Sequence, residues 1–287
     1  MTKVNLSTGG FPNYTGLEIS KKLISDGIKN IELSGGKFDK NIINNINKLK
    51  GKANFSIHNY FPPPQKGFVL NLASLNDLIF ERSIEHAKNA IKICELIDSN
   101  VYSLHAGFRI DPCIDEIGKK ISNKRRIVPY KDSLNRFYEA LNILSIFCSN
   151  KNIDLYIENN VFSQANKKSF GENPFLLSDD YEFDEFLTNK PNNVKLLMDV
   201  AHLKVSANSI GFNSKKTLLN LEKHISAYHL SENDGIADTN NEINKKSWFW
   251  DYISFTADFY TIEVYRKDIN ILKDQVNLTE SIINKIK

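Results

Sequence analysis

Short apolar runs rich in β-branched and aromatic residues recur at 4–6, 30–33, 55–58, 101–105, 154–158, 194–199, 225–229 and 260–263. Their length and composition are those of buried strands. The intervening stretches 17–26, 40–49, 75–97, 133–148, 181–187, 215–223 and 247–255, and the terminal stretch 269–286, space apolar residues three and four apart. That is the period of an amphipathic helix. Strand then helix, eight times over, predicts an α/β chain whose parallel strands close into a single (β/α)8 barrel spanning residues 1–287. No Gly/Ser-rich or Pro-rich linker divides the chain. The longest irregular stretches, 59–74 and 106–129, follow strands three and four and are expected to be loops over the barrel mouth.

Composition narrows this picture without changing it. The chain has 287 residues, a length near the limit of one hydrophobic core, so the alternatives were one large barrel or two smaller domains; the segment pattern favours the barrel. Lys and Arg number 37 against 34 Asp and Glu, a net charge of +3 that falls short of the basic excess nucleic-acid binding usually needs. Nucleic acid is therefore disfavoured as a partner. Cys94, Cys113 and Cys148 are far apart and form no CxxC pair, as expected of idle thiols in a reducing compartment. The opening MTKVNLSTGG lacks a signal-peptide core, and no run approaches the ~18 apolar residues of a membrane span. A cytoplasmic protein with no membrane association is expected; oligomeric state, a homo-oligomer included, is left open.

The ionisable residues carry the functional signal. Strand three ends in His58, four in His105, five in Glu158, six in Asp199, seven in His229 and eight in Glu263. In a parallel barrel all C-terminal strand ends open on one face, so these six residues should meet in one cup. A single polar strand end is commonly just a solvated loop residue, but six in succession are not explained that way. His202 also lies just beyond a strand end, while His86 and His224 fall on helical stretches and read as structural or exposed. Glu158, Asp199 and Glu263 crowded together would repel unless a cation neutralised them. A mixed oxygen and nitrogen set suits a divalent metal ion, Mn, Co, Zn or Mg, with imidazole favouring the transition metals.

Seven motifs together extend this to a resemblance. His58-Asn59-Tyr60, Asn71-Leu72-Ala73-Ser74, His105-Ala106-Gly107, Glu158-Asn159-Asn160, Asp199-Val200-Ala201-His202, His229 to Asp234 (HLSEND) and Glu263-Val264-Tyr265 follow one another in the slots after successive strands. In that order they resemble the xylose-isomerase-like TIM barrels, a superfamily of sugar isomerases and epimerases that also includes endonuclease IV. The epimerase pattern implies one divalent metal held by Glu158, Asp199, His229 and Glu263. It also implies Glu158 and Glu263 as the catalytic pair moving a proton through a cis-enediolate of a small or modified carbohydrate. His202 is implied as a substrate ligand, with Lys204, Asn233 and Asp234 lining the same cup; Arg109, by its position just past His105, is a further candidate for an anionic group. Ketose 3-epimerases commonly place an Arg where this chain has Gly235, so the substrate is expected to differ from theirs.

The endonuclease IV pattern adds His58 and His105 for a second metal and implies a phosphodiester hydrolase as the alternative function. Its third metal needs His202 with an Asp-x-His motif; the corresponding stretch here reads Asp238-Thr239-Asn240. The basic run 119–126 (KKISNKRR) is read as a solvated face, not a DNA clamp. Among the aromatic residues Phe61, Trp248, Phe249, Trp250 and Tyr265, core packing is the first reading and sugar stacking the second.

Overall fold

The computed structural model describes residues 3–116, 121–122 and 125–285. Eight strands, β1 Val4–Ser7, β2 Asn30–Ser34, β3 Asn54–His58, β4 Val101–His105, β5 Asp154–Glu158, β6 Val194–Asp199, β7 Ile225–Leu230 and β8 Phe259–Ile262, pair in sequence order, and β8 returns to β1 to close the barrel. Every pairing is parallel. The helices are α1 Gly16–Ser25, α2 Ile42–Asn47, α3 Asp77–Leu96, α4 Tyr130–Ser149, α5 Gln164–Phe170, α6 Asp180–Asn189, α7 Val200–Ile210, α8 Ser214–Leu221 and α9 Ile269–Lys285. This is the (β/α)8 barrel that the apolar pattern predicts.

Alternation along each strand decides what faces the barrel axis. Val101, Tyr156, Leu197, Ala227 and Phe259 pack together as a buried layer inside the barrel. Two residues further along β5, β6, β7 and β8 stand Glu158, Asp199, His229 and Thr261, all with no exposed surface. The lower barrel is thus filled with apolar side chains, and the same periodicity stacks polar groups above them toward the C-terminal face. The opposite strand faces join a larger core with the helices, in which Leu6, Ile31, Leu33, Ile57, Leu104 and Ile157 are fully buried.

Helix starts explain some of the loop placement. Thr15 and Glu18 form a reciprocal cap at the start of α1, and Asp179 and Glu182 form one at α6. At the β6–α7 junction there is no loop: Asp199 ends the strand and also caps the helix, its Oδ1 accepting from the His202 N–H at 2.7 Å.

The structure departs from the sequence pattern at three connections. Residues 247–255 are a run of turns, not a helix, between β7 and β8. Trp250 Nε1–H donates to the Asn244 carbonyl and Ser247 Oγ accepts from the Asn244 N–H, so local side-chain bonds close turns in place of a helical ladder. Phe249 and Trp250 are buried, which is why their spacing mimics a helical face. Conversely, α5 and α7 were not anticipated; they lie in the connections after β5 and β6, where short helices over the barrel mouth precede the outer ones. His86, on α3, is buried, with Nε2 3.3 Å from the Asn59 carbonyl, and burial lowers its pKa to about 4; His224 is exposed.

Cys94 and Cys148 are buried thiols and Cys113 is exposed; none is in a disulfide. Among the described residues no helix is long and apolar enough to cross a membrane. Of the basic run 119–126, Lys119, Lys120, Asn123 and Lys124 lie outside the described residues; Arg125 is paired with Glu116 at 2.7 Å.

Candidate metal centre

Glu158 sits at the centre of the cup with no exposed surface. Its Oε2 is 3.4 Å from His58 Nε2 and 3.6 Å from His105 Nδ1, while its Oε1 is 3.3 Å from His229 Nδ1 and 3.5 Å from His202 Nδ1. Residues from three strands, β3, β4 and β7, and from the first turn of α7 therefore converge on the carboxylate at the end of β5. Glu263, one residue beyond β8, reaches His229 Nδ1 with Oε2 at 3.0 Å and accepts a hydrogen bond from the Tyr265 hydroxyl with Oε1 at 2.7 Å.

Ligand-bearing atoms of Glu158, Asp199, His229 and Glu263 all lie within 4.8 Å of one another. These four are the set expected to hold a metal. Glu158 with His58 and His105, and Glu32 with His58 and His229, form two overlapping groups of the same compactness.

The test of fit is what the buried oxygens lack. Both carboxylate oxygens of Glu158 and Oδ2 of Asp199 are buried without a hydrogen-bond partner. Asp199 Oδ1 is committed to the α7 cap, so Oδ2 is the oxygen left facing the cluster. Each unsatisfied buried group costs on the order of 1–3 kcal/mol, more when charged. A cluster of such atoms is a several-kcal/mol penalty that a divalent cation would offset, and the donor set of three carboxylates and one imidazole fits one.

Charge inside the cup is redistributed accordingly. Burial opposes ionisation of Glu158, but the imidazoles of His105, His229 and His58 outweigh it and hold its carboxyl well below the usual range. Burial likewise opposes ionisation of Glu263, yet His229 brings it down to about 2. Asp199 goes the other way, pushed up to about 7 by burial, with His202 opposing and Glu158 adding to the rise. Burial disfavours the cationic forms of His229 and His202, but the carboxylates around them raise both well above the ordinary imidazole value. His105, with burial outweighing Glu158, falls to about 4.

Other motif residues hold backbone in place. Asn159 grips Asp199 from both sides, its Oδ1 accepting from Asp199 N–H at 2.7 Å and its Nδ2 donating to the Asp199 carbonyl at 3.2 Å. Asn160 donates to the carbonyls of Ala106 and Leu176, and Asn71 ties the β3 connection to the carbonyls of Phe108 and Ile110. Gly107 passes so close to Ala73 that a Cβ there would overlap it. These residues fix the loops around the clustered side chains.

The expected substrate-binding residues fall into two groups. His202 belongs to the cluster: its Nδ1 is 2.9 Å from the Asn159 carbonyl and its Nε2 3.3 Å from Asp238 Oδ2. Lys204, Asn233, Asp234 and Arg109 are engaged elsewhere. Lys204 bonds Glu232 and the Asn233 carbonyl, Asn233 donates to the Ala201 carbonyl, and Asp234 is an exposed cap for the N–H groups of Ile236 and Ala237. Arg109 donates to the carbonyls of Val128 and Asn173 and pairs with Glu172, stitching the β4 and β5 connections together. Of the aromatic set, Phe61, Phe249 and Trp250 are buried, whereas Tyr265 is 38% exposed beside Glu263 and so belongs to the cup.

One central residue escaped the sequence pattern. Glu32, in the middle of β2, is fully buried and its Oε2 lies 3.1 Å from His229 Nε2. Its one sequence signal is a carboxylate set inside the apolar run Ile31-Glu32-Leu33.

No curated protein matches the sequence significantly. Solved structures align along nearly the whole chain. A D-tagatose 3-epimerase-like protein superposes with a TM-score of 0.71 at 17% identity, covering 99% of this chain and 98% of its own. D-psicose 3-epimerase from Clostridium cellulolyticum H10, solved with D-tagatose, gives 0.65 at 12% identity, covering 99% and 98%. The 3-keto-D-glucoside 4-epimerase of E. coli gives 0.65 at 9% identity, covering 98% and 99%. Residues 22–253 match a family described as xylose isomerase-like TIM barrel. With most of its length matched and its eight strands closed in that order, the chain belongs to the xylose isomerase-like TIM barrel family.

Proposed function

We propose that the protein is a divalent-metal-dependent isomerase or epimerase of a small or modified carbohydrate. The observation that carries this reading is the four-residue group Glu158, Asp199, His229 and Glu263, in which three buried carboxylates face one another and both oxygens of Glu158 and Oδ2 of Asp199 are left unsatisfied. Those residues would hold the ion. When bound, it would supply positive charge where negative charge develops on two adjacent sugar oxygens.

The names of the similar structures add a chemical constraint. A ketose inverted at carbon 3 and a 3-keto-glucoside inverted at carbon 4 both react at a carbon next to a carbonyl. Such a carbon is acidic because the electrons of its C–H bond can pass into a carbon–carbon double bond while the carbonyl oxygen takes the charge. In this reading Glu158 and Glu263 are the two carboxylates that exchange that proton. For isomerisation one carboxylate takes the proton and returns it to the neighbouring carbon. For epimerisation the other glutamate passes a proton drawn from water to the opposite face, while the first releases to water the proton it took, so that solvent hydrogen enters the sugar. In this reading His202 is the candidate substrate ligand; because its Nδ1 faces the Asn159 carbonyl and its Nε2 faces Asp238, bonding a sugar hydroxyl would require Nε2 to exchange Asp238 for the substrate.

The test is hydrogen exchange. The protein is loaded with Mn, Co, Zn or Mg and incubated with ketoses in deuterated water, and incorporation at carbon is followed by NMR. Exchange into a ketose supports the reading. No exchange with any of the sugars, together with cleavage of an abasic-site DNA duplex, overturns it.

A second reading has its own observation: His58 and His105 both lie near Glu158 Oε2, the arrangement a second metal of a phosphodiester hydrolase would use. Against it stands the third site. Asp238 is paired directly with His202, and Asn240 is buried with its carbonyl bonded to the Tyr265 N–H. One bound ion per chain favours sugar chemistry; two or three favour hydrolysis.

A further inference from the structure

We propose that Glu32 is a positioning residue that fixes which nitrogen of His229 faces the metal centre. The inference rests on the metal-centre reading above and concerns a residue outside its four ligands.

The hydrogen-bond directions follow from a chain of donors. Asn5 Nδ2 donates to Thr261 Oγ1 at 3.5 Å, and the Thr261 hydroxyl in turn donates to Glu32 Oε2 at 3.0 Å. The same Oε2 lies 3.1 Å from His229 Nε2. A carboxylate only accepts, so the hydrogen on this contact belongs to Nε2. The other ring nitrogen, Nδ1, points the opposite way, 3.3 Å from Glu158 Oε1 and 3.0 Å from Glu263 Oε2. Nδ1, facing two further carboxylates, carries a hydrogen as well until an ion displaces it; with Nε2 held against Glu32, Nδ1 is the nitrogen whose lone pair would be freed for that ion, among the carboxylates that would share it. Asn5, Glu32, His229 and Thr261 are all buried to 1% exposure or less, so water does not compete for these bonds.

The placement is built into the barrel. β1 pairs with β8 so that Asn5 lies opposite Thr261, and β1 pairs with β2 so that Leu6 lies opposite Ile31. Thr261 in turn lies opposite His229 across the β7–β8 pairing, and Glu32 lies opposite Ser7, so polar residues of the four adjacent strands β7, β8, β1 and β2 stand side by side at the level of His229. Carboxylates that orient a ligating imidazole in this way typically change metal affinity by about 10–100-fold when removed.

Two measurements test this with zinc alone, without sugar turnover. In the wild-type protein with labelled histidine, long-range nitrogen–proton correlations should give His229 the Nε2–H form when zinc is bound, with Nδ1 ligated. The reverse form, Nδ1–H with Nε2 ligated, overturns the proposal, and this readout needs no variant to fold. Calorimetric titration of the metal-free protein should then show zinc binding weakened roughly 10–100-fold in Glu32→Leu. Glu32→Gln, which keeps an acceptor, should recover most of the loss and the Nε2–H form. Unchanged affinity in Glu32→Leu overturns the proposal. So does loss of a second equivalent of zinc with the first unaffected, because Glu32 would then be a ligand together with His58. If the wild type binds no zinc, the metal-centre reading itself falls and takes this one with it; every other adverse result falls on Glu32 alone.

Discussion

Tyr265 donates its hydroxyl proton to Glu263 Oε1 at 2.7 Å while the other oxygen of the same carboxylate faces His229 at 3.0 Å. Glu263 is therefore held at both ends, by a phenol at the rim and an imidazole below. Burial and the adjacent Glu263 charge raise the phenol well above its ordinary pKa, so Tyr265 keeps the proton it donates. Replacing it with Phe removes a hydrogen bond to a charged group, about 1.5–3 kcal/mol. Deuterium exchange into the sugar should fall roughly 10–100-fold in Tyr265→Phe, with zinc affinity nearly unchanged. Exchange at the wild-type rate would remove Tyr265 from the site.

Glu263→Gln should abolish carbon-bound hydrogen exchange with little effect on folding, because the amide keeps the size of the side chain and relieves a crowded set of carboxylates. Retained full activity would exclude Glu263 from proton transfer. Glu158→Gln should do the same and also weaken metal binding, since Glu158 belongs both to the four-residue group and to the group with His58 and His105.

Stripping the metal should lower thermal stability. An ion present at a hundred times its dissociation constant stabilises the folded state by about 2.7 kcal/mol. Melting with and without chelator should show this difference in the wild type and much less of it in Asp199→Asn, whose free Oδ2 would be replaced. Equal chelator sensitivity in both would exclude Asp199 as a ligand.

Glu182 gives a pH dependence remote from the cup. It caps α6, accepting from Ser178 and Asp179 N–H at 2.8 and 2.9 Å, yet burial outweighs these bonds and pushes its carboxyl up to about 7 from 4.5. Between those values the folded chain binds a proton that the unfolded chain does not. The resulting stability is complete below pH 4.5 and is lost as pH rises through about 7. Urea unfolding at pH 5 and pH 8 should show a larger loss across that interval in the wild type than in Glu182→Gln; identical losses would refute the assignment.

The resemblance to the ketose 3-epimerases leads to the expectation of an Arg where this chain has Gly235. Its φ is +78°, its N–H bonds Asn233 Oδ1, and a Cβ would overlap the Asn208 amide. An L-residue there costs about 1–2 kcal/mol for the backbone alone. Gly235→Arg should therefore lower the melting temperature and leave ketose KM no better. A stable variant with lower KM would show that the loop can be rebuilt toward those enzymes.

The barrel was legible because apolar period and strand length repeat eight times, and the meeting of Glu158, Asp199, His229 and Glu263 in one cup was legible because parallel strands end on one face. Glu32 was not: within Ile31-Glu32-Leu33 nothing local tells whether the carboxylate faces the axis or a helix, and its partner His229 lies 197 residues away. Arg109 shows the complementary limit. Its place one step past a strand end is a fact of sequence, but the direction of its guanidinium, toward Val128, Asn173 and Glu172, is a fact of loop packing. The stretch 247–255 misled because buried aromatic residues at turn positions share the spacing of a helical face.

The sequence by itself determined the strand and helix order, the barrel that follows from it, and the ring of His, Asp and Glu at successive strand ends, since these depend on short-range periodicity and on one rule of parallel closure. Tertiary structure alone decided which oxygens stay unsatisfied, which nitrogen of His229 meets which carboxylate, and that Asp199 spends one oxygen on a helix cap. Those outcomes depend on register between strands far apart in the chain, and register becomes defined only when the last strand closes on the first.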